Sequence, residues 1–308
     1  MVLPTLESAK PDADASSEEL VERPSRSFRF RRAVAGPAST IGFVLLGLYF
    51  LAAVASFLPF LPDPLHIATS EQLAAPGAQH VMGTDEFGRD QFTRILVGIR
   101  ISLEIILPSS LLAMVVGTAL GLAAGYFGTV WDNVIMRFVD IFFAFPPVLL
   151  ALAIIAALGA GVYQLIGAIA IVYMPMFVRI VRGPVLTLRE REFVQAALAM
   201  GVPARWILIR HMLPSVMSVI VVQVTLTLSW ALLTETALSF LGLGLQPPQP
   251  DLGTMLSGGS QLMTLDPWLS IFPGFTIMLA VLGFNLVGDG LRDALDPRTR
   301  RLQEAAVR

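Results

Sequence analysis

The sequence predicts an all-α integral membrane protein with six membrane-spanning helices and one functional loop on the inner face. Hydrophobic residues make up 55% of the 308 positions and charged residues only 14%, whereas a soluble domain usually carries about 25% charged residues. Long uncharged windows recur along the chain, and each can supply the ~20 residues needed to cross the hydrocarbon layer. Most basic residues fall in three segments that lie on one side when six spans are counted.

Four uncharged windows each predict one span, and they cover residues 33–62, 105–131, 212–234 and 267–288. A fifth window, 141–178, is long enough for two helices separated near 159–163. Because two spans and a turn need slightly more than this window, the third helix is expected to begin before Asp140. Arg137 and Asp140 would then form an ion pair on one helical face at the membrane boundary, with a role in gating as the alternative. Pro146 and Pro147 are expected to kink this third span.

A stripe of small residues marks a packing face on the second span. Gly117, Gly121 and Gly125 recur at four-residue spacing, which places them on one side of a helix. Such stripes allow two helix backbones to approach closely. The stripe therefore predicts helix packing and does not indicate a ligand.

The distribution of basic residues predicts that both termini are cytoplasmic. Seventeen of the 21 lysines and arginines lie before the first span, between the fourth and fifth spans, or after the sixth, and an excess of such residues marks the cytoplasmic side. Arg89, Arg94 and Arg100 fall on the outer side instead. The last two are expected to pair with Asp90 and Glu104, four residues away, which partly neutralises the three charges.

Domain boundaries follow from these spans. Residues 1–27 are polar and lack apolar periodicity, which predicts a disordered cytoplasmic tail. Residues 28–95 are expected to hold the first span and an extracytoplasmic segment, and residues 96–298 the core transmembrane domain. Residues 299–308 would form a short cytoplasmic tail.

Composition argues against catalysis or cofactor binding within this chain. Cysteine is absent and the three histidines are scattered, so neither thiolate nor histidine-based metal sites are expected. Lys10, in the N-terminal tail, is the single lysine, and a Walker A nucleotide site requires a lysine on the phosphates. The net charge of −2 gives no basic surface for nucleic acid.

The most informative segment is the loop 193–214 between the fourth and fifth spans. It predicts a short helix, a break at 201–203, and a second helix that reaches the membrane at Pro214. No charge occurs between Val194 and Met200. An uncharged helix in the cytosol is costly unless it docks in the groove of a partner. The alternative is a helix lying flat on the bilayer surface.

This loop resembles the EAA loop of bacterial ABC import permeases. Ala196, Ala197, Gly201 and the Leu213-Pro214 pair match, while Gln195 replaces the family's glutamate and His211 its usual isoleucine. The resemblance implies a coupling helix seated in a cleft of an ATPase subunit. Gln195 keeps hydrogen-bonding capacity without the charge of a salt bridge. The residues assigned to coupling are Gln195, Ala196, Ala197, Leu198, Gly201, Arg205, Leu213 and Pro214.

Three further stretches, 80–102, 235–248 and 284–298, are similar to the C-type permeases of dipeptide and oligopeptide importers. This resemblance implies a type I ABC importer permease fold in the bacterial cytoplasmic membrane, surrounded by lipid. It implies a paralogous B-type permease as heterodimer partner, two ATPase subunits that bind ATP and Mg²⁺, and an extracytoplasmic peptide-binding protein. Importers of nickel, glutathione and opines have similar permeases and remain alternatives for the cargo. A secondary carrier or intramembrane enzyme is disfavoured, because the central spans are almost free of ionisable groups.

Glu235, near the outer end of the fifth span, is an ionisable group at membrane depth, which is costly unless the group is solvated or paired. Glu235 and Ser239 are therefore candidates for an outer gate of the translocation path. The alternative is that Glu235 makes a hydrogen bond to a partner.

Overall fold

The computed structural model describes residues 36–295, so the predicted tails 1–27 and 299–308 lie outside the described residues. Within that range the chain is helical, with one isolated β-bridge between Thr84 and Asp90. The helices are α1 (Pro37–Ala55), α2 (Gln91–Phe127), α3 (Thr129–Phe143), α4 (Pro147–Leu158), α5 (Val162–Arg189), α6 (Glu192–Ala199), α7 (Ala204–Ile207), α8 (Leu213–Phe240), α9 (Leu252–Gln261) and α10 (Trp268–Leu295). A π-helical turn, Leu208–Met212, joins α7 to α8.

Six spans are present when the bent pair α3–α4 is counted as one. Helices α1, α2, α5 and α10 are each long and apolar enough to cross a membrane, as is the continuous run Ala204–Phe240. The axes of α3 and α4 differ by 94° across the break that contains Pro146. The expected interruption of the third span is therefore confirmed, and it is a sharp break.

The centre of the bundle is the contact between α2 and α5, where the glycine stripe lies. A Cβ atom added at Gly117 would lie 2.6 Å from the carbonyl oxygen of Met174, and one at Gly121 would lie 2.8 Å from that of Val178. One at Gly125 would meet Val185 at 2.7 Å. All three positions therefore face α5 at a distance that only glycine permits, as in other close helix pairs in membranes.

Ion pairs join α3 to α5 at the end of the bundle that carries the loop between α5 and α8. Arg179 lies 3.3 Å from Asp140 and 4.0 Å above the ring of Phe143, and Arg182 donates to Asp132 at 2.6 Å through its terminal nitrogen. The expected pair between Arg137 and Asp140 is wrong. The partner of Asp140 comes from the neighbouring helix, which local spacing cannot reveal.

At the opposite end, the segment between α1 and α2 is held by a network around His80. Its imidazole lies 2.9 Å from Asp90 and 3.2 Å from Glu71. Asp90 also caps α2 by accepting from the backbone nitrogen of Thr93 at 2.9 Å. The expected Asp90–Arg94 pair is wrong, because Arg94 pairs with Asp85 at 3.4 Å. The expected Arg100–Glu104 pair is confirmed at 3.5 Å.

Candidate functional site

The loop between α5 and α8 folds as a helix, a tight turn and a second helix. Helix α6 ends at Ala199, and the chain then reverses at Gly201, whose φ of +75° is unfavourable for residues with a Cβ atom. The nitrogen of Gly201 donates to the carbonyl of Leu198 at 2.9 Å, and that of Val202 to Ala197 at 3.0 Å. These bonds satisfy the last carbonyls of α6. Gly201 is therefore needed for the reversal between the two helices.

Helix α6 has one face in the bundle and one face away from it. Val194 and Ala197 are buried and pack in the hydrophobic core. Phe193, Leu198 and Met200 are exposed, and Met200 is the most exposed of the three at 75%. The buried face fixes the position of α6, and the exposed face presents large apolar side chains, of which Phe193 also lies 6.2 Å from the ring of His211.

The second half of the loop repeats this arrangement. Ile207 and Met212 are fully buried, whereas Trp206 and Ile209 are exposed. Helix α7 and the π-helical turn continue directly into α8, so Ala204–Phe240 forms one continuous helical run. We call the exposed apolar residues of the loop the coupling surface, defined as Phe193, Leu198, Met200, Trp206 and Ile209.

The residues assigned to coupling from the sequence occupy both faces. Ala196 and Arg205 are exposed, as coupling to a partner requires, but the side chain of Ala197 faces the bundle. The amide of Gln195 donates to the carbonyl of Arg189 at 3.0 Å and so folds back on its own chain. Further along the loop, Leu213 is half-buried and Pro214 lies exposed in the first turn of α8.

Sequence reasoning did not single out most of the coupling surface. Met200 precedes the matched Gly201, and Trp206 and Ile209 lie between Gly201 and Leu213. The sequence signal of all three was an apolar side chain in a loop predicted to be cytoplasmic. Val194 is a buried residue that holds α6 against the bundle. The sequence does not distinguish it from the other apolar residues of α6.

Glu235 lies in a fully buried polar cluster at the other end of α8. Its carboxylate accepts from the hydroxyl of Ser102 on α2 at 3.2 Å and lies 3.3 Å from the hydroxyl of Ser239. The same Ser239 oxygen is 3.1 Å from the buried Asp251. Asp251 caps α9 by accepting from the nitrogens of Gly253 and Thr254 at 2.9 and 3.0 Å. The cluster thus ties α2, α8 and α9 together, and Glu235 faces the interior of the chain.

This cluster contains two residues that the sequence did not reveal. Asp251 carries an N-cap signal before α9, but nothing in the sequence pairs it with Glu235. Ser102 lies on α2, far away along the chain, and meets Glu235 only through the packing of α2 on α8.

Known proteins are similar to this chain over most of its length. Residues 117–301, more than half of the chain, match the family described as "Binding-protein-dependent transport system inner membrane component". The dipeptide transport system permease protein DppC of Alkalihalophilus pseudofirmus is 45% identical over 273 residues, which cover 88% of this chain and 89% of that protein. The glutathione transport system permease protein GsiD of Pectobacterium atrosepticum is 46% identical over 225 residues, covering 73% and 75% of the two chains.

Among solved structures, a chain of the MetNI methionine ABC transporter in an inward-facing conformation is similar to this fold. The TM-score is 0.52 at 18% sequence identity, and the match covers 66% of this chain and 96% of that one. At this identity the likeness concerns the fold alone. Together with the family match and the two permeases of similar length, it leads to one conclusion: the chain belongs to the family of inner membrane components of binding-protein-dependent transport systems.

Proposed function

We propose that this chain is one of two transmembrane subunits of an ATP-driven importer of dipeptides and oligopeptides. The observation that carries this proposal is the coupling surface, a set of exposed apolar side chains on a loop whose other face is anchored in the bundle. Exposed apolar surface of this kind marks a site of protein association. The relatives DppC and GsiD, whose names state dipeptide and glutathione transport, support an amide-containing cargo.

In this proposal the loop is the connection to two ATPase subunits. The side chains of Leu198 and Met200 enter a cleft of an ATPase, and the exposed Arg205 on α7 favours an acidic rim. ATP and Mg²⁺ are bound by those partners, and this chain performs no chemistry. Closure of the ATPases moves the loop, and α8 carries the movement into the membrane because helix and loop are continuous.

The remaining parts of the importer follow from this role. A paralogous permease completes the path as a heterodimer, and a peptide-binding protein delivers cargo at the outer end. Both termini are cytoplasmic, which places the coupling surface on the side of the ATPases. Two conformations that differ by a few kcal/mol suffice, because ATP and the loaded binding protein each favour one of them.

Glu235 and Ser239 belong to the outer gate in this proposal. Their hydrogen bonds join α8 to α2 and α9, so they would hold the outer end closed. Movement of α8 during the transport cycle would have to loosen this cluster.

The proposal is tested by uptake into vesicles that contain the assembled importer, with dipeptide, glutathione and nickel as separate cargo arms. ATP-dependent accumulation of dipeptide is the expected result. Glutathione is the second candidate, because GsiD matches at 46% identity, and accumulation of glutathione alone would replace the dipeptide assignment. Uptake of nickel alone would contradict both.

A further inference from the structure

The break in the third span leaves backbone carbonyl groups without partners. In a continuous helix the carbonyls of Phe142 and Phe143 would accept from residues 146 and 147, but both are prolines and have no N–H group. The nitrogen of Phe145 reaches the carbonyl of Phe142 at 3.3 Å. The carbonyls of Phe143, Ala144 and Phe145 accept no hydrogen bond from any residue between 36 and 295.

This break lies on the uncharged side of the Arg179–Asp140 ion pair, and Arg179 also contacts the ring of Phe143 at the edge of the break. The break borders a cavity whose other wall is formed by Val172, Pro175 and Met176 of α5. With a rise of about 1.5 Å per residue, Val172 and Met176 lie roughly 15 and 21 Å from the first residue of α5, whose full length is about 42 Å. Counted from Arg179 at the ion-paired end, Val172 and Met176 are only about 10 and 5 Å away along α5, so the unpaired carbonyls lie one to two turns inside the apolar part of the bundle.

Lipid cannot satisfy these groups. Irregular backbone at membrane depth is tolerated only where it is covered by protein or lines a water-filled cavity. The cavity at the break has a volume of about 330 Å³, within the range of about 300–1,000 Å³ that is typical of ligand sites. Its aromatic wall includes Phe143 and Phe145, and Phe145 is 54% exposed.

We propose that this break is a cargo site on the translocation path, where the carbonyls of residues 143–145 accept hydrogen bonds from the amide N–H groups of a passing peptide. The rings of Phe143 and Phe145 contact its side chains. The inference rests on the proposed peptide import and adds the place and chemistry of contact. A helix of the paralogous permease is a poorer occupant, because its own N–H groups are already bonded within the helix. An extended peptide carries free N–H groups.

The cavity is also connected to the coupling loop. Gln223 on α8 donates to the sulfur of Met176 at 3.9 Å and to Thr227 at 3.2 Å, so α8 borders the wall of the cavity. Arg179 fixes the end of α3 to α5 through Asp140 and the ring of Phe143. Movement of α8 would therefore change the cavity while the break itself stays in place.

The absence of cysteine from the chain makes a direct test feasible. Phe145→Cys is introduced into the assembled importer, and its reaction with a charged, water-soluble thiol reagent is followed. The control is Val115→Cys, which is 54% exposed on an intact helix. It lies at the same depth, because Gly117 two residues away packs on Met174. The reaction requires a solvated thiolate, so we expect the cysteine at 145 to react at least about tenfold faster than the one at 115.

Bound cargo should protect the cysteine at position 145 from modification. Binding protein loaded with the dipeptide Ala-Phe, together with ATP, is expected to slow modification at position 145 and leave position 115 unchanged. If Phe145→Cys fails to assemble, Ala144→Cys takes its place with the same expectation. Equal rates at 145 and 115, or no protection in vesicles that accumulate the dipeptide, would overturn the site while leaving the proposed function intact. If the unmodified importer does not take up dipeptide, the assignment of a peptide as ligand fails together with the proposed function. The labelling rates measured without cargo then still show whether the break is accessible to water.

Discussion

Truncation of Met200 should weaken the attachment of the ATPase subunits without harming the permease. The Met200 side chain is 75% exposed at the end of α6, so Met200→Ala creates no cavity in the bundle. Full burial of such a side chain is worth about 1.5–3 kcal/mol. If a partner covers the exposed three quarters, truncation costs roughly 1–2 kcal/mol of binding free energy, or about a five- to thirtyfold higher Kd.

The matched control is Met263→Ala. Met263 is 50% exposed and lies between α9 and α10, at the opposite end of the bundle. The affinity of the ATPase subunits for the permease pair in lipid nanodiscs is measured together with cargo-stimulated ATP hydrolysis. Met200→Ala should raise Kd and reduce stimulation, and Met263→Ala should change neither. A Met200→Ala variant with the affinity and stimulation of the wild type would refute the assignment of the coupling surface.

Three further predictions concern stability, measured by thermal unfolding in detergent. Gly117→Ala should destabilise the protein by about 1–3 kcal/mol through overpacking, because the added Cβ atom would lie 2.6 Å from α5, where 3.4 Å is ordinary. The control Gly183→Ala, whose Cβ atom would have no neighbour within 4 Å, should be neutral or stabilising. Equal effects of the two substitutions would contradict the packing face. Glu235→Gln, which can still hydrogen-bond, should lower the free energy of unfolding less than Glu235→Ala does. The alanine leaves buried hydrogen-bonding partners unpaired, which costs about 1–3 kcal/mol. A larger loss for the glutamine variant would contradict the role of the cluster. The hydrogen bond that the His80 imidazole donates to Asp90 raises the pKa of His80. The stabilisation from this bond should be complete below the unfolded pKa of about 6.5 and lost as pH rises through the higher folded pKa. His80→Gln should remove this pH dependence of the unfolding temperature, and an unchanged pH profile in the variant would contradict the assignment.

Sequence patterns predicted the features that depend on local spacing. The uncharged windows located the spans because a membrane crossing imposes a length and a composition on any helix. Pro146 and Pro147 predicted the interruption of the third span because the missing N–H groups act within one helical turn. The stripe that includes Gly121 predicted a packing face for the same reason, although its partner, α5, became known only from the structure.

Contacts between distant segments could not be predicted in this way. Asp140 pairs with Arg179 rather than with Arg137, because α3 packs against α5. Ala197 matches the coupling motif but is buried, since the orientation of α6 depends on the packing of Val194. A charged substitution at Ala197 would therefore disrupt the loop itself, which makes Ala197→Asp a poor probe of coupling.

The central claim is that an ATPase subunit binds the loop between α5 and α8 on the cytoplasmic side. Ala196 is exposed on α6, and the chain supplies no competing cysteine. A photoreactive thiol cross-linker attached to Ala196→Cys in the assembled importer should therefore link this chain to an ATPase subunit, with a yield that changes when ATP is added. Modification of this cysteine only from the outside of sealed cells, or an active importer without any link to an ATPase, would contradict the account.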